Sequence, residues 1–190
     1  MAKKLLGLTL CLLLMAAGLA WAQTPVTYSA HGKQYFSINI PDSWMVNVGV
    51  EDDTVLTPEG ETPESRLITA MPGDGAPLWL GMWVPTDVKS FAEAKDYLDS
   101  LNIQLLTDVV STERITDTIN GMDVYYVAGT GKKEKENMDF RAAFIQLSEE
   151  NIAIIIYIGP HQTTITHGKD LKQILLSIHS IKSVAGGTTK

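Results

Sequence analysis

The run Ile152-Ala153-Ile154-Ile155-Ile156-Tyr157-Ile158 constrains this chain more than any other stretch. It is rich in β-branched residues, bounded by Asn151 and Gly159-Pro160, and too short for an ordinary helix, so it is expected to form a strand. Its side chains are apolar on both faces. A strand of that kind is stable only in the middle of a sheet covered on both sides. Residues 78–84 repeat the pattern, with Leu78, Leu80, Met82 and Val84 on one face and Trp79 and Trp83 on the other.

The remaining elements fit around these two strands. In YFSINIPDSWMV, residues 35–46, Phe36, Ile38 and Ile40 alternate with Tyr35, Ser37 and Asn39, a period of two. Pro41 ends the strand because it has no N–H for the ladder, and Asp42 and Ser43 favour a turn. Trp44, Val46, Val48 and Val50 then begin a second alternating run. Trp44 is expected to fold over the end of the strand pair and close the core, which gives Phe36, Pro41 and Trp44 packing roles. Further strands are predicted at 54–57, 66–71 and 78–84, with an acidic loop at 58–64 and a turn at Pro72-Gly73-Asp74-Gly75.

Ser90-x-x-Glu93 fits a capping box, and Phe91, Ala94, Leu98 and Leu101 continue a helical face from it. Asn120-Gly121 joins strands 109–119 and 122–128 in a hairpin, and 140–147 pairs with 152–158. The charged stretch Lys132-Lys133-Glu134-Lys135-Glu136 is predicted to be a solvated loop. A last helix is predicted over 169–181, with Leu171, Ile174, Leu175 and Ile178 as its buried stripe. The architecture expected is α+β: an antiparallel β-sheet covered by a helix on each face, an α/β/α sandwich.

The ends bear on compartment. Lys3 and Lys4, the apolar stretch 5–19 and Ala20-Trp21-Ala22 match a secretory signal peptide over 1–22, too short to span a bilayer. An extended lead-in is expected at 23–33, one domain at 34–183 and a flexible tail at 184–190. The single cysteine, Cys11, lies inside the leader and is preceded by Leu8-Thr9-Leu10, which lacks the small residues of a lipid-attachment site. A chain cleaved after Ala22 therefore has no disulfide, no thiol chemistry and no stable membrane anchor. The formal net charge is −7; of the 15 basic residues Lys3 and Lys4 leave with the leader, so 13 basic face 22 acidic residues, a net −9. That balance argues against nucleic acid and anionic membrane as partners.

Motifs for chemistry are sparse. His161 and His167 stand six residues apart across a loop, which is not a zinc spacing, and His31 and His179 are isolated. There is no G-x-S-x-G elbow, and Gly129-Thr130-Gly131-Lys132 lacks both the spacing and the following helix of a phosphate loop. Glu51-Asp52-Asp53 and Glu59, Glu61 and Glu64 lack EF-hand spacing and are expected to form a solvated acidic edge. No catalytic residue, metal site or cofactor is assigned. Trp79 and Trp83 flank Gly81 on one strand face; the notch between them either receives a packed helix or forms an aromatic groove for an apolar ligand or a partner segment.

The motifs YFSINIPDSW, SFAEAKDYLDSL, INGMDVYYVAGTG and LKQILLSIHSIKS, in this order and spacing over about residues 33–183, resemble the PsbP-like superfamily. Members of that superfamily are mainly interaction modules and share no catalytic residues. The resemblance carries over only at core positions such as Phe36, Pro41 and Trp44, and it implies a protein partner. The function expected is an exported, non-enzymatic binding or assembly protein acting through protein–protein contacts, periplasmic or secreted. The alternatives are a small-molecule or lipid binder using the groove at Trp79, Gly81 and Trp83, and a hydrolase using His161 or His167.

Overall fold

The computed structural model describes residues 22–30, 32–49, 54–57, 60–63 and 67–181. His31, Glu51-Asp52-Asp53, the tail 184–190 and all but the last residue of the expected leader lie outside the described residues. In chain order the elements are β1 (Gln23–Ala30), β2 (Lys33–Pro41), β3 (Trp44–Val48), β4 (Thr54–Thr57), β5 (Gly60–Pro63), β6 (Ile68–Pro72) and β7 (Trp79–Trp83). Then come α1 (Phe91–Leu105), β8 (Thr107–Ile119), β9 (Met122–Lys133), β10 (Glu136–Ser148), β11 (Asn151–Gly159), α2 (His161–Thr166), α3 (Gly168–Leu176) and β12 (His179–Ser180).

The two-faced strand lies where its composition requires. A seven-stranded sheet has the order β3-β6-β7-β11-β10-β9-β8, with β11 in the middle. Its partners β7 and β10 run antiparallel to it, as do all the other pairs of this sheet. Cross-strand partners share a face, so Trp83, Ile154, Phe144 and Tyr125 form one row, and Met82, Ile155, Ala143 and Tyr126 form the adjacent row on the opposite face. Helix α1 packs on the first row. Phe91 lies 6.1 Å from the Tyr125 ring, Tyr125 lies 6.1 Å from Phe144, and the Trp83 indole N–H donates to the Tyr97 hydroxyl at 3.1 Å. On the opposite face Asp139 of β10 accepts hydrogen bonds from α2, described below.

Several expectations change. The predicted single sheet is instead three: the seven-stranded sheet, a three-stranded one ordered β1-β2-β12, and the hairpin β4-β5. The lead-in at 23–33 is extended but fully integrated, since Gln23 to Ala30 pair with β2 as β1. The acidic loop at 58–64 contains a strand, β5, paired with β4. The charged stretch 132–136 is the closed end of a long hairpin rather than a loop. Lys133 pairs with Glu136, and Glu134 and Lys135 make the two-residue turn at φ 50° and 78°.

The predicted helix over 169–181 stops at Leu176. Ser177 sits at its end, where its hydroxyl donates to the Ile174 carbonyl at 2.6 Å and accepts from the Asn39 amide at 2.8 Å. Asn120, in the β8–β9 turn at φ 51°, donates its side-chain amide to the carbonyls of Leu176 and Ile178 at 3.0 and 2.7 Å. With the last carbonyls satisfied, His179 and Ser180 pair with Ser37 and Phe36 of β2. The apolar stripe survives the change: Leu171, Ile174 and Ile178 are buried.

The proline turn before Trp44 is where the chain leaves the small sheet for the large one. Asp42 ties it to β1, accepting from the Thr24 hydroxyl at 2.8 Å. The Gly73 amide donates to the Ser43 carbonyl at 2.8 Å, so the turns at 41–43 and 73–75 lie side by side. Trp44 pairs with Pro72, is 6% exposed, and its ring meets that of His167 in a T-shaped contact at 5.9 Å and 89°. Phe36 and Pro41 are buried as well. Trp44→Ala removes a buried indole where several elements meet. It should cost about 3–5 kcal/mol, read from the urea midpoint at unchanged m-value.

The capping box forms as predicted. The Glu93 amide donates to Ser90 Oγ at 3.2 Å, and Glu93 Oε2 accepts from the Lys89 and Ser90 amides at 2.7 and 3.0 Å. The Lys89 amide foremost, then that of Ser90, holds the Glu93 carboxyl below its ordinary value of 4.5. A carboxylate with a depressed folded-state pKa stabilises above the unfolded value, and that contribution is lost as the pH falls through the folded value. The stability difference between wild type and Glu93→Gln should therefore be full at neutral pH and shrink on acidification below 4.5, by denaturant titrations across pH.

Candidate functional site

The seven-stranded sheet ends in two very different edges. β8 has 13 residues, carries Glu113, Arg114 and Asp117, and breaks register with β9 between Thr107 and Val110 and again between Ser111 and Glu113. Charges and bulges of this kind discourage strand addition. β3 has only five residues, Trp44-Met45-Val46-Asn47-Val48, with no charge among them. Met45 is 55% exposed, Val46 38% and Val48 44%. Behind them Met71 and Leu67 are also exposed. Met45 pairs with Met71 and shares its face, while Val46 pairs with Ala70 on the other. Among the described residues no strand pairs with the outer side of β3.

Alternation in the sequence places Trp44, Val46 and Val48 on one inward face. Of these three the structure buries only Trp44; Val46 and Val48, on the edge strand, stay partly exposed among the described residues. Only an edge leaves β-branched side chains so placed, and position in the sheet order is not written in local periodicity.

The notch expected between Trp79 and Trp83 is filled from within the strand. A Cβ at Gly81 would overlap the Trp79 indole, so glycine is required there by that ring lying across it. Trp83 is buried and engaged with Tyr97 on α1. Gly81 lies opposite Ile156 of β11 and Thr69 of β6. The aromatic pair thus contributes packing around the strand, and no open slot separates the two rings.

The histidines serve as ties between elements. His161 Nδ1 lies 2.7 Å from Asp139 Oδ2, which also accepts from the Thr164 hydroxyl at 3.2 Å, so the start of α2 is fixed to β10. The imidazole itself is exposed. His167, mostly buried between α2 and α3, faces Asp74 at 3.4 Å and Asp170 at 3.7 Å. Tyr157, near Asp139, has its phenol pushed up, mainly by burial, with Arg141 opposing and Asp139 adding to the shift. Among the described residues no three His, Asp or Glu side chains converge on a point that holds a metal ion.

Two clefts, of about 220 and 210 Å³, flank Tyr35 near the β10–β11 turn. Lys33, Leu147, Ser148 and Ser180 line the first, and Val84, Pro85, Lys89 and Glu150 the second. Both fall below the roughly 300–1,000 Å³ usual for small-molecule sites. Neither is lined by His161, His167 or the Trp79–Trp83 strand. No helix among the described residues is long and apolar enough to cross a membrane.

No family model matches the chain, and no curated protein does. Solved structures do. Cyanobacterial PsbP from Synechocystis superposes with a TM-score of 0.57 at 10% identity, over 86% of this chain and 96% of that one. LpqN of Mycobacterium tuberculosis, a protein involved in cell envelope biogenesis, superposes with a TM-score of 0.53 at 14% identity, over 85% and 91%. At these identities the likeness speaks for architecture alone: the chain shares with cyanobacterial PsbP and LpqN an α+β fold built on antiparallel sheet.

Proposed function

We propose that the protein is an exported, non-enzymatic accessory protein that acts by binding another protein, and that strand β3 is where it docks. The single observation that carries this reading is the uncharged, apolar edge at Met45, Val46 and Val48, which no strand among the described residues pairs, opposite a β8 edge that is charged and bulged. An edge strand offers a row of free N–H and C=O groups, and adding a strand to it is a general mode of protein recognition. In this reading α1 roofs one face of the large sheet, and the α2–α3 pair with the small sheet roofs the other. The edges are then the backbone left for a partner.

The leader-like pattern at residues 1–22 and the envelope role of LpqN support a site of action outside the cytoplasm. The accessory character is supported by the fold shared with PsbP and LpqN, and by histidines that tie helices to strands.

A photo-crosslinking residue placed at Met45, and in a second sample at Val110 on β8, should separate the two edges in native envelope extracts. Discrete adducts are expected from position 45 and not from 110, and Val46→Lys with Val48→Lys should reduce them at least fivefold. Equal adducts from both positions, or none from 45, would sink the proposal.

A further inference from the structure

The α2 side of the seven-stranded sheet is covered unevenly. Met82, Ile155, Ala143 and Val124 are buried on it. Between them and the tie of His161 to Asp139 lies the cross-strand row Tyr157, Arg141 and Ala128, one from each of β11, β10 and β9. In that row Arg141 is exposed and the other two are half-buried. Tyr126, opposite Ala143, stands diagonally from Arg141 on the same face and is half-buried as well.

These three polar side chains have no protein partner of their own. Among the described residues Arg141 makes no ion pair, and neither the Tyr126 nor the Tyr157 hydroxyl makes a hydrogen bond. Lys132, by contrast, is held by Asp108 at 2.7 Å. The guanidinium lies near both phenols. Burial foremost pushes each phenol above its ordinary value of 10.0, Asp117 adds to the rise at Tyr126 and Asp139 at Tyr157, and Arg141 opposes it in both.

We infer that Arg141, Tyr126 and Tyr157 form a binding site for a soluble organic phosphate monoester. A guanidinium fork engages two oxygens of an oxyanion at once, and a phosphoryl group offers a third oxygen to the two phenol O–H donors. Ala128 is a single methyl beside Tyr126, which leaves room for a flat apolar body against the tyrosine ring. On the same face of β8, Glu113 pairs with Ala128, and Asp117 acts on Tyr126. Carboxylates bordering the site disfavour a broad anionic surface such as a bilayer, and so select a small molecule with one such group. The site stands apart from the docking edge, since β6, β7 and β11 separate β10 from β3.

Isothermal titration of the whole protein with phenyl phosphate, inorganic phosphate and benzoate tests this. Phenyl phosphate should bind at least tenfold more tightly than either of the others. Arg141→Gln should weaken it at least tenfold, and Tyr126→Phe and Tyr157→Phe, which keep the rings, at least threefold each. Arg114→Gln, at an exposed arginine on the opposite face of the sheet, should leave it unchanged. Wild-type urea midpoints in these variants keep lost binding apart from unfolding. Vesicles of phosphatidylcholine with phosphatidic acid should not sediment the protein. No binding of phenyl phosphate at millimolar concentration, or binding indifferent to Arg141→Gln, would overturn the site. Benzoate bound as tightly as phenyl phosphate would overturn the phosphoryl group as its ligand. Sedimentation with the vesicles that Arg141→Gln abolishes would overturn the soluble source in favour of a lipid headgroup.

Discussion

Burial of β11 on both faces is the constraint from which the rest of the molecule follows. Its seven central residues, Ile152 to Ile158, carry almost no polar surface, so the strand needs neighbours on both sides and cover above and below. The neighbours are β7 and β10, themselves largely apolar. α1 touches one face through Phe91 against Tyr125 and Tyr97 against Trp83. Across the sheet, Asp139 anchors α2, and the His167–Asp74 and His167–Asp170 contacts hold the α2–α3 junction near Trp44. His161 and Asp74 keep much of their surface in solvent, so these ties need little desolvation.

Moving outward from β11, the demand for burial falls and the two edges are free to differ. On one side the sheet runs through β10 and β9 to a long, charged, irregular strand. On the other it runs through β7 and β6 to a short and greasy one. A sheet whose one margin is charged and bulged and whose other margin is short and apolar is asymmetric in what it can recruit.

What was legible in the sequence is what is decided within a few residues. Asn120-Gly121 formed its hairpin turn with both residues at positive φ, and Ser90 and Glu93 formed the cap. The two-faced strands came out as central, and Phe36, Pro41 and Trp44 came out buried. What was not legible depends on distant partners. The helical period through Ile178 and Ile181 gave way to pairing with Ser37 and Phe36, because the free side of β2 offered ladder bonds that a frayed last turn does not. Residues 23–30 have weak alternation and became a strand through pairing with β2. The candidate site shows the same division. Spacing located Trp79, Gly81 and Trp83 on one face, but which way the Trp79 ring would lie was a question of rotamer and neighbours. The exposure of Val46 and Val48 depended on the order of strands, which alternation does not encode.

The small sheet has a consequence for how the chain reaches its final form. Its middle strand is made early in the sequence, yet it is completed by residues 177–181: the Asn39 amide bonds Ser177 across 138 residues, and the Ile181 amide bonds the Tyr35 carbonyl at 2.9 Å. A polypeptide that emerges amino end first, from a ribosome or through a pore, can form the initial hairpin at once but must wait for nearly its whole length before that hairpin is sealed. Loop-closure entropy over such a separation makes the sealing step late and slow. During that interval the hairpin has an unsatisfied flank, so the time spent in transit is also the time of greatest exposure to misassociation.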